Sequence, residues 1–194
     1  MGDEAVKAAS ARVKLTYEDF LLFPDDGKRH ELIDGEHYVT TSPNTKHQRI
    51  LGNLHWLVRS YLEQHAVGRV FFAPFDVVFS NFDVVEPDLL YMSHARAAEI
   101  LTSAHVEGSP EIVVEIGSPS TRGRDETIKR RLYERCAVSE YWVIDPELDV
   151  VRVYRRESSG EFARPTELSR ERSDALTTPV LPGLELRLGD LFKD

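Results

Sequence analysis

Residues 112–116 read Ile-Val-Val-Glu-Ile, and a carboxylate in that company restricts what the chain can fold into. Four β-branched residues out of five, bounded by Gly117-Ser118-Pro119, specify a short buried strand. Glu115 must then leave water with its neighbours, and an unpaired buried carboxylate costs several kcal/mol even after relaxation. The fold has to bring a cation to Glu115, and the nature of that cation largely decides the function.

Two further acids sit beside apolar runs. Asp88 lies in VVEPDLLYM, between Pro87 and Leu89-Leu90, and Glu31 lies in RHELIDG, next to Leu32-Ile33. Strands alternate faces, so Glu115 shares a side with Val113 and Asp88 with Leu90. If those strands are neighbours, both carboxylates point at one spot, where they cannot both ionise without a cation. Mg²⁺ suits such a place, because it takes oxygen ligands and needs only one or two carboxylates plus substrate phosphate. It also lowers the pKa of a bound water and stabilises charge building on a phosphodiester. Lys129, on the helix that follows, stands about 100° from Ile128 on a helical wheel, at the border of the apolar stripe. Arg122, Arg124, Arg130 and Arg131 surround it and make 122–131 the most basic stretch of the chain, which suits a polyanion.

Plainer readings stand beside these. Glu115 is equally served by one salt bridge to Lys129 or an arginine. Asp88 after a proline can simply end a strand or cap a turn. Glu31 can pair with Lys28 or Arg29, and the arginine run can be a solvated helix face supported by Glu126–Arg130. His47, near a helix start beside Ser42-Pro43-Asn44, either lines a cleft or is exposed.

The chain's 194 residues fit one domain. A net charge of −9, from 24 basic and 33 acidic residues, argues against coating nucleic acid by bulk attraction. With one cysteine, Cys136, no intramolecular disulfide forms. Residues 1–13 read as a mobile tail without the apolar core of a secretory signal. No run approaches the roughly 20 apolar residues of a membrane span, so the expectation is a cytoplasmic protein. Gly- and Ser-based catalytic motifs are missing: there is no G-x-x-x-x-G-K-[ST], G-x-G-x-x-G or G-x-S-x-G.

The elements follow from local signals. Thr16 and Asp19 cap a short helix in 15–23, and Asp34-Gly35 marks a hairpin. A helix opens with the Thr45/Gln48 capping-box spacing and ends at Gly68. Strands are expected at 69–80, bent by Pro74, and at 84–92, 111–116, 140–145 and 150–156. Helices are expected at 94–103, where a loop is the alternative, and at 122–136, and the terminal LELRLGDLF alternates like a half-exposed strand. Together they describe one α/β (α+β) domain over 14–194, a mixed sheet flanked by helices.

YEDFLLFPDDGKRHELIDGE, SPNTKHQRI, VVEPDLLYM, IVVEIGSPSTRGRDETIKRRLYERCAVSEYWVIDP and LPGLELRLGDLF, in that order and spacing, resemble the Uma-two-type restriction-endonuclease family. That family is similar in turn to the PD-(D/E)XK nuclease superfamily. The resemblance implies a restriction-endonuclease-like fold around a four-stranded mixed sheet, and a Mg²⁺- or Mn²⁺-dependent endonuclease. It implies Asp88 and Glu115 as metal ligands and Glu31 near the same ion, with the Ile116 carbonyl helping. The superfamily's lysine would fall at Gly117, so Lys129 on the next helix is the matching catalytic lysine. Nucleic acid, expected to be DNA, would meet Arg122, Arg124 and His47, and a homodimer is a further expectation. The rival reading keeps the fold as a non-catalytic nucleic-acid- or protein-binding module in which Glu115 and Lys129 form a structural ion pair.

Overall fold

The computed structural model describes residues 13–118 and 121–194. Apart from Val13, the expected tail lies outside the described residues. The chain opens with α1 (Tyr17–Phe20), where Thr16 and Asp19 make the expected capping box. Strands β1 (Arg29–Ile33) and β2 (Glu36–Thr40) form the expected hairpin. Asp34 and Gly35 both adopt positive φ, 53° and 73°, as the tight turn between twisted strands requires.

The long helix α2 (Thr45–Gln64) buries Ile50, Leu51, Leu54, Val58 and Leu62 along one face. Its N-cap is Asn44 rather than Thr45, because the Asn44 side chain accepts the His47 N–H. Gly68 does not end α2 but opens β3 (Gly68–Phe72). A Cβ there would come within 2.4 Å of the Met92 carbonyl oxygen, so only glycine lets the two backbones pair.

Two expected strands each prove to be two. Residues 69–80 divide at Pro74 into β3 and β4 (Val77–Ser80), and 84–92 divide at Pro87 into β5 (Asp83–Val85) and β6 (Leu89–Ser93). Proline cannot donate to a ladder, and at both prolines the chain passes from one sheet to the other. Next come α3 (His94–Ile100), β7 (Val106–Glu107) and β8 (Ile112–Ile116). The helix expected at 122–136 is a turn, α4 (Arg122–Arg124), a π-helical turn (Asp125–Lys129) and α5 (Arg130–Arg135). The chain ends with β9 (Glu140–Asp145), β10 (Val150–Arg155), β11 (Thr166–Ser169), β12 (Ala175–Thr178), β13 (Leu181–Arg187) and α6 (Leu188–Leu191). The terminal LELRLGDLF is thus half strand and half helix.

The main sheet has six strands in the order β11-β10-β9-β8-β6-β3, wider than the four-stranded core the resemblance implies. Only β8 and β9 run parallel in it. A second, five-stranded sheet has the order β2-β1-β5-β4-β7, and β12–β13 form a hairpin. Alternation along β8 builds a core on each face of the main sheet. Ile112, Val114 and Ile116 pack with α2, α6 and the β12–β13 hairpin. Val113 packs on the other face with Leu132, Tyr133 and the second sheet's Ile33, Val77 and Val85. Among the described residues, no helix is long and apolar enough to cross a membrane.

Leu54 is 1 % exposed at the centre of the α2 face. Leu54→Ala is expected to cost about 2–5 kcal/mol by urea denaturation, with the circular dichroism spectrum retained. A loss well under that would show that α2 does not anchor the main sheet.

Candidate active site

The antiparallel register of β6 with β8, Leu89 opposite Val114 and Leu90 opposite Val113, continues to bring Asp88 beside Glu115. Glu115 faces the side of the sheet shared with Val113, as strand alternation predicts. Glu31 arrives on β1 from the second sheet, and the π-helical turn delivers Lys129. Inserting an extra residue into a helical turn re-aims a side chain, and such turns recur at functional sites.

Lys129 Nζ donates to Glu31 Oε1 at 2.7 Å and to Glu115 Oε1 at 2.8 Å. The Tyr133 hydroxyl donates to the same Glu115 oxygen at 2.6 Å, and the Glu86 N–H to Glu31 Oε1 at 3.1 Å. Lys129, Glu31 and Glu115 are all buried. Beside them, Asp88 Oδ2 accepts the Ile116 N–H at 2.7 Å and a bond from His47 Nε2 at 3.1 Å. Asp88 Oδ1 accepts from Arg29 Nη1 at 2.8 Å. Thus Glu31, Asp88, Glu115, Ile116, Lys129 and His47 come together.

The remaining expected residues lie differently. Arg124 turns inward: Nη2 donates to the Thr40 hydroxyl at 2.6 Å and lies 3.7 Å from Glu31 Oε2, and the guanidinium stacks over the Tyr38 ring. Arg122 stays at the rim, 41 % exposed, paired with Asp145. His47 is buried rather than exposed. Arg29, read as a partner for Glu31, bonds Asp88 instead. Asp125, Glu86 and Tyr133 also belong to the site. Tyr133 carried only a packing signal, and Asp125 and Glu86 looked like ordinary polar residues in the sequence.

Acids outnumber cations here, and their ionisation reflects it. Burial, with the nearby Asp88, Asp125 and Glu31 charges, overcomes Lys129 and pushes Glu115 up to about 8. Burial would disfavour the Lys129 charge, but Glu115, Glu31 and Asp125 outweigh it and hold the ammonium protonated. For Asp88, burial is overcome by the His47 hydrogen bond, Arg29 and the Ile116 N–H, which keep it ionised. Burial lifts Glu86 to about 7 against Arg29, and lifts Asp125 above the usual carboxylate range.

The donor set is oxygen only, the preference of a hard divalent ion. Glu31 Oε2 and Asp125 Oδ1 are buried without a hydrogen-bond partner among the described residues. They border a cleft of about 10 Å³ with Asp88 and Glu115, just enough for one water-sized species. Among the described residues, no three Asp, Glu, His or Cys side chains are grouped closely enough to hold an ion by themselves. Two carboxylates with a backbone carbonyl, completed by substrate phosphate, remain a fitting Mg²⁺ set.

The profile of the Uma2 family, described as “Putative restriction endonuclease”, matches residues 17–189. A crystal structure of “a putative nuclease belonging to DUF820” from Anabaena variabilis is similar in fold, with a TM-score of 0.76 and 21% identity. The match covers 92% of this chain and 97% of that one. No curated protein matches the chain in sequence.

Glu115 binds its proton up to about pH 8 in the fold, against 4.5 ordinarily. Between those values the folded state holds the extra proton, so this group's contribution to stability falls as pH rises. In EDTA, the drop in melting temperature from pH 5 to pH 8 should be smaller for Glu115→Gln than for the wild type. An identical drop would assign it to other groups. Lys129→Met strips the shared cation from two buried acids and is expected to cost about 3–5 kcal/mol at pH 8 in chemical denaturation.

Proposed function

The chain belongs to the Uma2 family, “Putative restriction endonuclease”, and on that premise we propose that it is a divalent-metal-dependent nuclease hydrolysing phosphodiester bonds in DNA. The observation that carries this reading is the buried Lys129 shared by Glu31 and Glu115, set beside Asp88 where β6 and β8 meet. In this reading the Asp88 and Glu115 carboxylates and the Ile116 carbonyl hold Mg²⁺ or Mn²⁺, with Glu31 next to them. The bound ion supplies Lewis acidity and a water acidified towards neutral pH.

The chain's own residues do the rest. His47, Arg29 and the Ile116 N–H keep Asp88 ionised and fix its orientation. Tyr133 donates to the same Glu115 oxygen as Lys129 and fixes its orientation. The Lys129 ammonium has three donors and uses two on Glu31 and Glu115, leaving one for the attacking water or a phosphate oxygen. Its charge then opposes the negative charge that builds in the transition state. In this reading Arg122, partly exposed and paired with Asp145, would contact a backbone phosphate, a contact that positions without reading sequence. Arg124 acts from within, bracing Thr40 and Glu31.

One observation favours the rival module. Glu31 and Glu115 already share Lys129 and Asp88 already has Arg29, so each of the three acids has a cationic partner without a metal ion.

Mn²⁺ calorimetry, with and without a DNA duplex, separates the two. The wild type is expected to bind saturably, while folded Asp88→Asn and Glu115→Gln lose that binding. Cleavage of a plasmid should fall by at least about a hundredfold in both. No saturable binding under either condition would leave the non-catalytic module.

A further inference from the structure

The six-stranded sheet ends on one side at β3, and this edge differs from the others. Proteins blunt strand edges with charge, proline or shortness, because an open edge is a template for another strand. Edge strand β11 follows Pro165 and carries Glu167, β2 carries Glu36, and β7 is two residues long. β3 reads Gly68-Arg69-Val70-Phe71-Phe72, with neither an acid nor a proline. At its end Phe72 is 48 % exposed, its ring edge-on to His55 of α2 at 4.6 Å.

The ladder with β6 settles which way the backbone of β3 points. The Ala73 N–H donates to the Asp88 carbonyl, and the Val67 carbonyl accepts the His94 N–H. Bonded positions alternate along an antiparallel strand, so Val67, Arg69, Phe71 and Ala73 turn their N–H and C=O groups to β6. Gly68, Val70 and Phe72 therefore turn theirs to the open side. The side chains alternate as well. Val70 and Phe72 lie on the α2 face, and Phe71 packs with the core on the other face.

We infer that β3 is a dimer interface, at which a second copy of this chain adds its own β3 antiparallel and the main sheet continues across a two-fold axis. The strand is complementary to itself in one register. Setting Val70 opposite the partner's Val70 brings Gly68 opposite the partner's Phe72, and all three outward residues then exchange backbone bonds. The Phe72 ring meets a residue without a side chain, flanked by the Tyr91 ring, so nothing competes for its place. On the other face the exposed Arg69 falls opposite the partner's Phe71 in a closely spaced pair, where guanidinium and ring attract. Shifting the register to put Gly68 opposite the partner's Val70 sets Arg69 against Arg69, and like charges directly opposite repel. The one charge on the strand thus selects the register. Because the match is to the strand's own sequence, it singles out a second copy over an unrelated extended peptide. The interface stands apart from the nuclease reading.

The test is sedimentation velocity on the full chain in EDTA, from micromolar to near-millimolar concentration, with amide hydrogen exchange by NMR over the same range. The wild type is expected to pass from monomer to dimer as concentration rises. The Gly68, Val70 and Phe72 amides should gain at least about tenfold in protection on the way, while Arg69 and Phe71, bonded to β6, stay protected throughout. Phe72→Lys puts a charge at an exposed edge position and should weaken the dimer at least about tenfold with the circular dichroism spectrum retained. Arg69→Ala, also at an exposed position, should weaken it at least about fivefold by removing both symmetric ring contacts. A monomer at every concentration would overturn the proposal. A dimer whose edge amides stay unprotected, or one unchanged in Phe72→Lys, would overturn β3 as its surface. Tighter association of Arg69→Ala would overturn the register, since relief of Arg69 against Arg69 predicts that sign. Dimerisation through β3 in a protein that fails the Mn²⁺ titration would support the interface while removing the nuclease reading.

Discussion

The buried Lys129 ammonium, shared by Glu31 and Glu115, is the interaction on which the rest of the arrangement turns. It joins three pieces of chain that no local signal connects: β1 of the second sheet, β8 at the centre of the main sheet, and the π-helical turn ahead of α5. Each partner is tolerable inside the protein only because the others are there. An acid left alone would take up a proton, and a lysine left alone would lose one. The cost of burying Glu115 is therefore met first by a lysine and a tyrosine of the following helical segment.

Asp88 is held by a separate set of partners, and the difference matters. Its bonds from His47, Arg29 and the Ile116 N–H keep it ionised, whereas Glu115, crowded by other acids, holds its proton up to about 8. Two neighbouring carboxylates with opposite tendencies form a poised pair. A divalent ion reaching them would meet one carboxylate already charged and another whose proton it must displace. The same residues form an ion-pair network and, in the proposed function, would supply the donor set for a hard cation. Stability and the proposed chemistry thus draw on one constellation and are not alternatives at the level of geometry.

Much of this was legible in the chain. The capping box at Thr16, the Asp34-Gly35 turn, the apolar stripe of α2 and the strand around Glu115 rest on local sterics and periodicity, and they appear where those rules put them. The fold departs from its local signals where two of them compete or where a long-range contact decides. Asn44 outcompeted Thr45 as the cap by reaching the His47 N–H. Gly68 looked like a helix stop, but it is glycine because a strand backbone passes too close for a Cβ. Pro74 and Pro87 announced breaks without revealing that the chain changes sheets at each.

By itself, the sequence determined the type and approximate place of most elements, and it singled out Glu31, Asp88, Glu115 and Lys129 as acids and a base in improbable surroundings. Periodicity and the cost of burying charge are properties of short stretches, so a linear reading reaches them. Only the tertiary structure decided who pairs with whom. It turned Arg124 inward, gave Arg29 to Asp88 rather than Glu31, and buried His47 against the same aspartate. Those choices depend on strand register and on the meeting of two sheets. Several arginines, acids and one histidine were chemically interchangeable partners until the fold set the distances between them.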